Sequence, residues 1–437
     1  MPKKNIFVFE YVSGGGFNKE EISSSLLCEG YAMLRSILED FKKLKFQTIT
    51  QLDERIFNLS DYLNQDDLSL VTSNDDFLDV YKTCLEKANF CFIIAPEFSN
   101  NLYKLTEIAL NYQKGLYSIG LEGIKLGASK IKTYDFFKDN DLLTPLTYQI
   151  PLVDGKIDFD FIYEKFEESQ FPFIIKPEDG VGAESIYYFQ RKKELELFFT
   201  QEDLPLDPHR NYILQEYIKG TDLSVSIINN PVEDKITDNL YILSINSQNI
   251  GFKDLNGKSY YLGGYTPIKQ YTRVKKILQK SLEKISLFNF KGYFGIDFIK
   301  TSDDKLYFIE INPRMTTSYI GIRNILNHNP LLLLEQGYEQ NKPLEIKHIG
   351  FSEFLRLDLI YNGRESLEEI VNTAIPKLMR EIPELVTPPI CLREANSNQN
   401  LEFSCFIATK SKDHDSSKQR FSEILNQLKR AQFNLIK

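Results

Sequence analysis

The alternation that opens the chain narrows the fold most. Asn5 to Tyr11 (NIFVFEY) is a run of β-branched and aromatic residues, ended by Gly14-Gly15-Gly16. Behind it, Ile22, Leu26, Leu34, Ile37, Leu38 and Phe41 recur at helical spacing. Lys45 to Ile49 reads as a second strand and Phe90 to Ala95 (FCFIIA) as a third, buried one. A helix around Leu102 to Gln113 and a strand at Leu116 to Ile119 continue the pattern. Apolar strands that alternate with helices are covered on both faces, as in a parallel sheet. Residues 1–127 are therefore expected to form an α/β domain.

At 437 residues the chain exceeds one ordinary core, so further domains or lobes must follow. A helix near Ser129 to Asn140 leads through Pro145 into short strands at Pro172 to Lys176, Ile186 to Phe189, Tyr212 to Ile218 and Leu223 to Ile228. Few helices among them suggest an α+β lobe. Beyond a strand at Tyr241 to Ile245, a helix carries Val274, Ile277, Leu278, Leu282 and Ile285 on one face. Strands at Tyr293 to Ile299 and Leu306 to Ile311, parted by Ser302-Asp303-Asp304, suit a hairpin. The last stretch, 345–437, reads as an α+β appendage: strands at Phe354 to Tyr361 and Leu401 to Thr409, helices at Ser366 to Arg380 and Ser416 to Arg430. The polar run Lys410 to Lys418 is expected as a surface loop.

Several function classes fall away on composition. A net charge of −9 argues against general nucleic-acid binding, which needs a basic face to displace counterions. Five scattered cysteines without a CxxC pair read as reduced, buried thiols, and four histidines show no metal-ligand spacing. No signal peptide is evident and no apolar stretch reaches membrane-spanning length, so a cytoplasmic protein without a membrane partner is expected.

Three constellations can carry chemistry. Asp297 stands on one strand of the expected hairpin, and Glu310 and Asn312, two residues apart on the other, share a face. Such oxygen donors suit Mg²⁺, which takes its other ligands from water and phosphate. The same residues also read as a solvent-facing strand pair with Asn312 opening a turn before Pro313. In Phe173-Ile-Ile-Lys176-Pro177-Glu178-Asp-Gly180-Val-Gly182-Ala-Glu-Ser185, a buried strand delivers a lysine to a glycine-bearing loop. Lys176 could meet a phosphate and the loop's N–H groups could wrap others, or the loop is a plain turn. It is no Walker loop, since GxxxxGK[ST] is absent. Finally, Gln215-Glu216-Tyr217-Ile218-Lys219-Gly220-Thr221-Asp222 could set backbone groups against an adenine edge and an acid on ribose.

The order of these pieces resembles the ATP-grasp superfamily: Ser129-Lys130, Lys176, Gln215 to Asp222, Asp297, then Glu310-Ile-Asn-Pro-Arg314. The resemblance covers roughly residues 128 to 330. It implies a two-lobed ATP-grasp fold after the first domain, with a small lobe at 128–220 and a large lobe at 221–344. It further implies that Lys130 and Lys176 hold the α- and β-phosphates under the loop of Glu178, Gly180, Gly182 and Ser185. Gln215 to Ile218 would line adenine and Asp222 would bind ribose. Asp297, Glu310 and Asn312 would hold one or two Mg²⁺, with Mn²⁺ as a substitute, and Arg314 would stabilise charge on the transferred phosphoryl group. Two points depart from the pattern. Asp222 stands where the family usually has Glu, and Lys132 competes with Lys130. Phe9-Glu10-Tyr11-Val-Ser-Gly-Gly-Gly16, Leu27-Cys-Glu29-Gly30, Leu52-Asp53-Glu-Arg55 and Ala95-Pro96-Glu97 are similar to an archaeal-type subgroup, the tyramine–glutamate ligases.

The implied activity is ATP-dependent activation of a carboxylate as an acyl phosphate and its joining to an amine, with glutamate and a tyramine-like amine as substrates and a homodimer compatible with the family. An ATP-binding sensor or scaffold and an ATP-grasp kinase remain as alternatives. Gly263-Gly264 and Arg323 are candidates for the acceptor pocket, against a β-turn and a structural ion pair.

Overall fold

The computed structural model describes residues 4–169, 172–179, 185–201, 204–231, 240–251, 260–339, 344–392 and 401–436. Gly180 and Gly182 lie outside them. The N-terminal sheet is built from β1 (Asn5–Glu10), β2 (Gln47–Asp53), β3 (Asp67–Val71), β4 (Phe90–Ile94) and β5 (Gly115–Leu116), all parallel, in the order β3-β2-β1-β4-β5. Ile6 to Phe9 of β1 are fully buried, as a central strand with helices on both faces requires. Helix α1 (Ser24–Lys43) starts where the Ser23 side chain accepts from the Leu26 N–H and buries Leu27, Tyr31, Leu34, Ile37, Leu38 and Phe41. Ile22, read as part of its stripe, precedes the cap. Helices α2 (Phe77–Lys87), α3 (Asn101–Asn111) and α4 (Leu121–Gly127) complete the covering.

Two elements here depart from expectation. Strand β3 and helix α2 add to the expected pattern, so the Phe90 strand is fourth, not third. The sequence DLSLV of β3 is a half-exposed edge and has no apolar run to betray it. The second strand begins two residues late because Lys45 takes a left-handed turn conformation (φ 66°).

Helix α5 (Lys130–Asp139) leads to a four-stranded antiparallel sheet of order β10-β9-β11-β6, from β6 (Thr147–Gln149), β9 (Phe173–Pro177), β10 (Tyr187–Phe189) and β11 (Tyr212–Glu216); a small hairpin, β7 and β8 (Leu152–Val153, Lys156–Ile157), stands apart. This region holds two helices where few were expected, α6 (Phe159–Glu168) and α7 (Lys192–Phe199). Each is short and charged on its outer face, and each buries little more than one or two side chains (Ile162; Leu195 and Phe198).

The largest antiparallel sheet has the order β13-β12-β17-β18, from β12 (Thr221–Asn229), β13 (Leu240–Ser247), β17 (Gly292–Lys300) and β18 (Leu306–Asn312), and carries helix α8 (Tyr271–Leu282). Ile285 lies beyond that helix. The expected hairpin is present: β17 and β18 pair antiparallel with Asp297 opposite Glu310 and Gly295 opposite Asn312. Between β13 and α8 run β14 (Ile250–Gly251), β15 (Tyr260–Tyr261) and β16 (Gly263–Thr266). Helices α9 (Tyr319–Ile325) and α10 (Leu331–Glu339) follow the hairpin.

The C-terminal residues do not hang off this body. Strand β19 (Ser352–Tyr361) pairs on one side with β16 and on the other with β20 (Leu401–Ala408), and β21 (Phe433–Leu435) also pairs with it. Phe354, Ile390, Phe406 and Ala408 join the core that buries α1. Gly263 and Gly264 make this junction possible: a Cβ on Gly263 would stand 2.0 Å from the Phe354 carbonyl oxygen, and one on Gly264 would stand 1.9 Å from that of Ser247. They serve strand packing and not a turn. Two further expectations are corrected. The Ser366 to Arg380 helix is α11 (Leu367–Glu369), a wide π stretch Ile370–Ala374 and α12 (Ile375–Glu381), as Pro376 cannot donate to an i−4 carbonyl. The supposed loop Lys410 to Lys418 becomes helix at His414, where α13 (His414–Arg430) is capped by Asp413 accepting from the Ser416 N–H.

Candidate active site

The face shared by Asp297, Glu310 and Asn312 looks inward onto a cavity of about 400 Å³. Asp297 accepts hydrogen bonds from the amides of Gln248 (3.1 Å) and Asn312 (3.2 Å). Glu310 lies 3.5 Å from the ammonium of Lys130 and 3.8 Å from that of Lys176. Lys130 is the first residue of α5, buried against the sheet, while Lys132 points to solvent. Lys176 is buried on β9 opposite Ile213. Burial, and then the negative charge of Glu310, push the Asp297 carboxyl up to about 7. Burial raises Glu310 as well, but Lys130 and Lys176 outweigh it and hold that carboxyl below its usual range. Burial brings the Lys176 ammonium down to about 8, opposed by Glu310 and reinforced by Lys130. Two acids and two lysines thus crowd one wall, and one of the acids resists ionisation.

Gln215, Glu216, Tyr217 and Ile218 line the same cavity, with Ile174, Ile186, Ile299 and Ile309 as an apolar slot. The Gln215 amide donates to Thr147 Oγ1 (2.8 Å), and the Glu216 carboxylate accepts from the Leu146 N–H (3.2 Å), which fixes this strip. Asp222 also lines the cavity, and burial raises its carboxyl. Glu178 does not face the cavity: its carboxylate accepts from Ser129 Oγ and its carbonyl lies 3.5 Å from Lys130 Nζ, so it holds the start of α5. Ser185 sits in a left-handed turn away from the lining (φ 57°).

The cavity continues toward the N-terminal sheet. Arg314 is braced by Glu97, whose carboxylate oxygens lie 3.0 and 3.1 Å from its Nε. Glu10 is buried and accepts from the N–H groups of Val12 (3.1 Å) and Ser13 (2.8 Å) and from Ser13 Oγ (2.6 Å). Burial still pushes its carboxyl above the usual range. A Cβ on Gly30 would strike that carboxylate at 2.5 Å, so the glycine makes room for it. Phe17, Leu26, Met33 and Phe98 form apolar walls, and Glu29 and Arg356 close the far side.

Residues 127–318 match the ATP-grasp domain. A D-alanine–D-alanine ligase of Fusobacterium nucleatum is 33% identical over 250 residues, which is 54% of this chain and 78% of that ligase. The chain belongs to the ATP-grasp superfamily. A tyramine–L-glutamate ligase of Methanocaldococcus fervens is 29% identical over 343 residues, 77% of this chain and 95% of the relative. Among solved structures, an ATP-grasp superfamily protein from Archaeoglobus fulgidus has the same fold (TM-score 0.56, 22% identity, 84% of this chain and 95% of that one). This ATP-grasp protein is an ADP-forming carbon–nitrogen ligase that resembles the tyramine–glutamate ligases.

Most of the residues singled out in this ATP-grasp sequence converge on one cavity: Lys130, Lys176, Gln215 to Ile218, Asp222, Asp297, Glu310, Asn312 and Arg314. Arg323 does not. It pairs with Asp40 (2.6 and 2.7 Å) and Glu39 (3.0 Å), with the Tyr319 hydroxyl also donating to Asp40. Gln248, Tyr261, the run Thr316 to Ser318 and Arg356 line the cavity too, and no motif in the sequence marks them. Only a strand partner from far along the chain brings Arg356 there. Among the described residues no group of three or more His, Cys, Asp or Glu is arranged to hold a metal ion, and no helix is long and apolar enough to cross a membrane.

Proposed function

We propose that this enzyme activates glutamate as an acyl phosphate and transfers the acyl group to a primary amine with an aromatic body, such as tyramine. The observation that carries this reading is the continuity of one cavity. It runs from the lysine and carboxylate wall to a chamber that joins apolar sides to the buried acid Glu10. Such a chamber suits an ammonium on an apolar frame better than a second anion.

On this reading, Gln215 to Ile218 and the isoleucine slot hold adenine, Asp222 binds ribose, and Lys130 and Lys176 meet the phosphates. Residues 128–220 form the lobe that closes over the nucleotide and 221–344 the lobe beneath it. Asp297, Glu310 and Asn312 would hold Mg²⁺ or Mn²⁺. Their donor set fits: opposed carboxylates and an amide oxygen leave the remaining positions of a hard cation to water and phosphate, and burial and Glu310 raise the Asp297 carboxyl despite the opposing charge of Lys176. When bound, the metal would supply positive charge to offset that of the phosphates.

The chain's own residues do the rest. A carboxylate oxygen of the acid attacks the γ-phosphorus in line and ADP leaves, while Lys176 and Arg314 hold the charge on the moving phosphoryl group. Glu10 takes the ammonium of the amine and accepts its proton. The freed nitrogen lone pair attacks the acyl carbon, and phosphate departs with the C–O electron pair and takes up the second N–H proton as the amide forms. Closure of the small lobe keeps water from the acyl phosphate. The test is ADP release by the purified enzyme with Mg²⁺ across a panel of acids and amines. Turnover needing both, and best with glutamate and an aromatic amine, supports the assignment; equal turnover with small aliphatic amines, or with acid alone, refutes it.

A further inference from the structure

Arg356 and Glu29 come from opposite ends of the chain, β19 and α1, and meet on the cavity wall with Arg356 Nη1 2.6 Å from Glu29 Oε1. Asp358 lies 3.4 Å from Nη2. The pair is not needed to dock α1 on the C-terminal residues. That contact already has a core of Phe354, Phe406 and Ala408, the Cys28 to Thr387 contact (3.4 Å) and the Arg35 guanidinium donating to the Val386 carbonyl (2.8 Å). Arg356 lines the cavity with a planar guanidinium, a group built for two-point recognition, and its Nε is shut away from solvent without an acceptor. Tyr261 lines the cavity together with the pair and Asp297, and its oxygen accepts from Thr317 Oγ1 (3.1 Å).

We propose that Arg356 and Glu29 form a clamp for the headgroup of an α-amino acid, Arg356 taking the α-carboxylate and Glu29 the α-ammonium. The substrate's zwitterion inserts between the two side chains and replaces their mutual ion pair by two. The clamp leaves the substrate's other carboxylate as the one that meets ATP, so the acid taken is an α-amino dicarboxylic acid. This rests on the ligase reading above and adds its specificity determinant. The C-terminal residues are then part of the active site, since β19 supplies half of the clamp.

The test is calorimetric binding to the full chain with Mg²⁺ and a non-hydrolysable ATP analogue. The probes are L-glutamate, glutarate (no ammonium) and 4-aminobutyrate (no α-carboxylate), with the aspartate series beside them. Wild type should bind the amino acid about 30-fold or more tighter than either analogue, the scale of losing one partner of a buried charge pair. Arg356→Gln should erase the preference over 4-aminobutyrate yet keep that over glutarate, and Glu29→Gln should do the reverse. Arg356→Lys keeps the charge and serves if the glutamine variant does not fold; it should lose part of the same preference. Equal weakening of all probes in the variants, an unchanged preference in Arg356→Lys, or a wild type that binds no α-amino acid overturns the clamp. The crossed pattern without ADP release for any amine sinks the ligase substrates and leaves the clamp standing.

Discussion

Asp297 is a liability to the metal-free protein, and its replacement tests the electrostatics of the site. The carboxyl moves from 3.8 to about 7 on folding, because burial and Glu310 both oppose its charge. That is a shift of roughly 3 units, worth ~4 kcal/mol in a dry site at 1.36 kcal/mol per unit. The side chain borders the cavity, so solvent screening reduces this to about 2 kcal/mol. A raised carboxyl contributes its stability below pH 3.8 and loses it as pH rises through about 7. Asp297→Asn should therefore be more stable than wild type at pH 8 in EDTA, by about 2 kcal/mol, with the gap closing toward pH 5. Mg²⁺ with ADP should reverse the order, since only wild type offers the cation its carboxylate. Thermal melts from pH 5 to 8, with and without MgADP, give the answer. A variant no more stable than wild type at pH 8, or a gap that does not shrink on acidification, refutes the argument.

Other perturbations follow from single contacts. Asp40→Asn leaves the buried Arg323 guanidinium with Glu39 as its remaining acid and should cost about 3 kcal/mol in urea melts. Asp40 is held below its usual range, with burial overcome by Arg323, so its contribution is present above pH 3.8 and the gap to the variant should narrow only below that. Gly264→Ala should give little soluble protein, because its Cβ meets a carbonyl at 1.9 Å, while Gly120→Ala, with nothing within 4 Å, should be neutral. Lys176→Met should lower kcat/KM for ATP by about 10²-fold or more, against near-unchanged kinetics in Lys132→Met, whose side chain faces solvent.

Period and order made much of the site readable. Two-residue spacing put Glu310 and Asn312 on one face, and a polar turn between apolar runs paired that face with Asp297. Lys176 stood out as a charge ending a buried strand. Local pattern failed where tertiary contact decides. Edge strand Asp67–Val71 and the short helices Phe159–Glu168 and Lys192–Phe199 carry too few buried side chains for a clear period. Arg356 in FLRLDL has no local signal, and pairing of β19 with β16 brings it to the cavity. Glu178 reads as a loop acid beside phosphate, yet Ser129 claims it.

The most direct test of the central claim follows oxygen from the acid to the phosphate. The enzyme is supplied with ATP, Mg²⁺, an aromatic amine and glutamate labelled with ¹⁸O in both carboxylates, and the released phosphate is weighed by mass spectrometry. Activation as an acyl phosphate predicts one ¹⁸O in each phosphate, with the amide product short of one label. Unlabelled phosphate, or AMP and pyrophosphate in place of ADP, would contradict it.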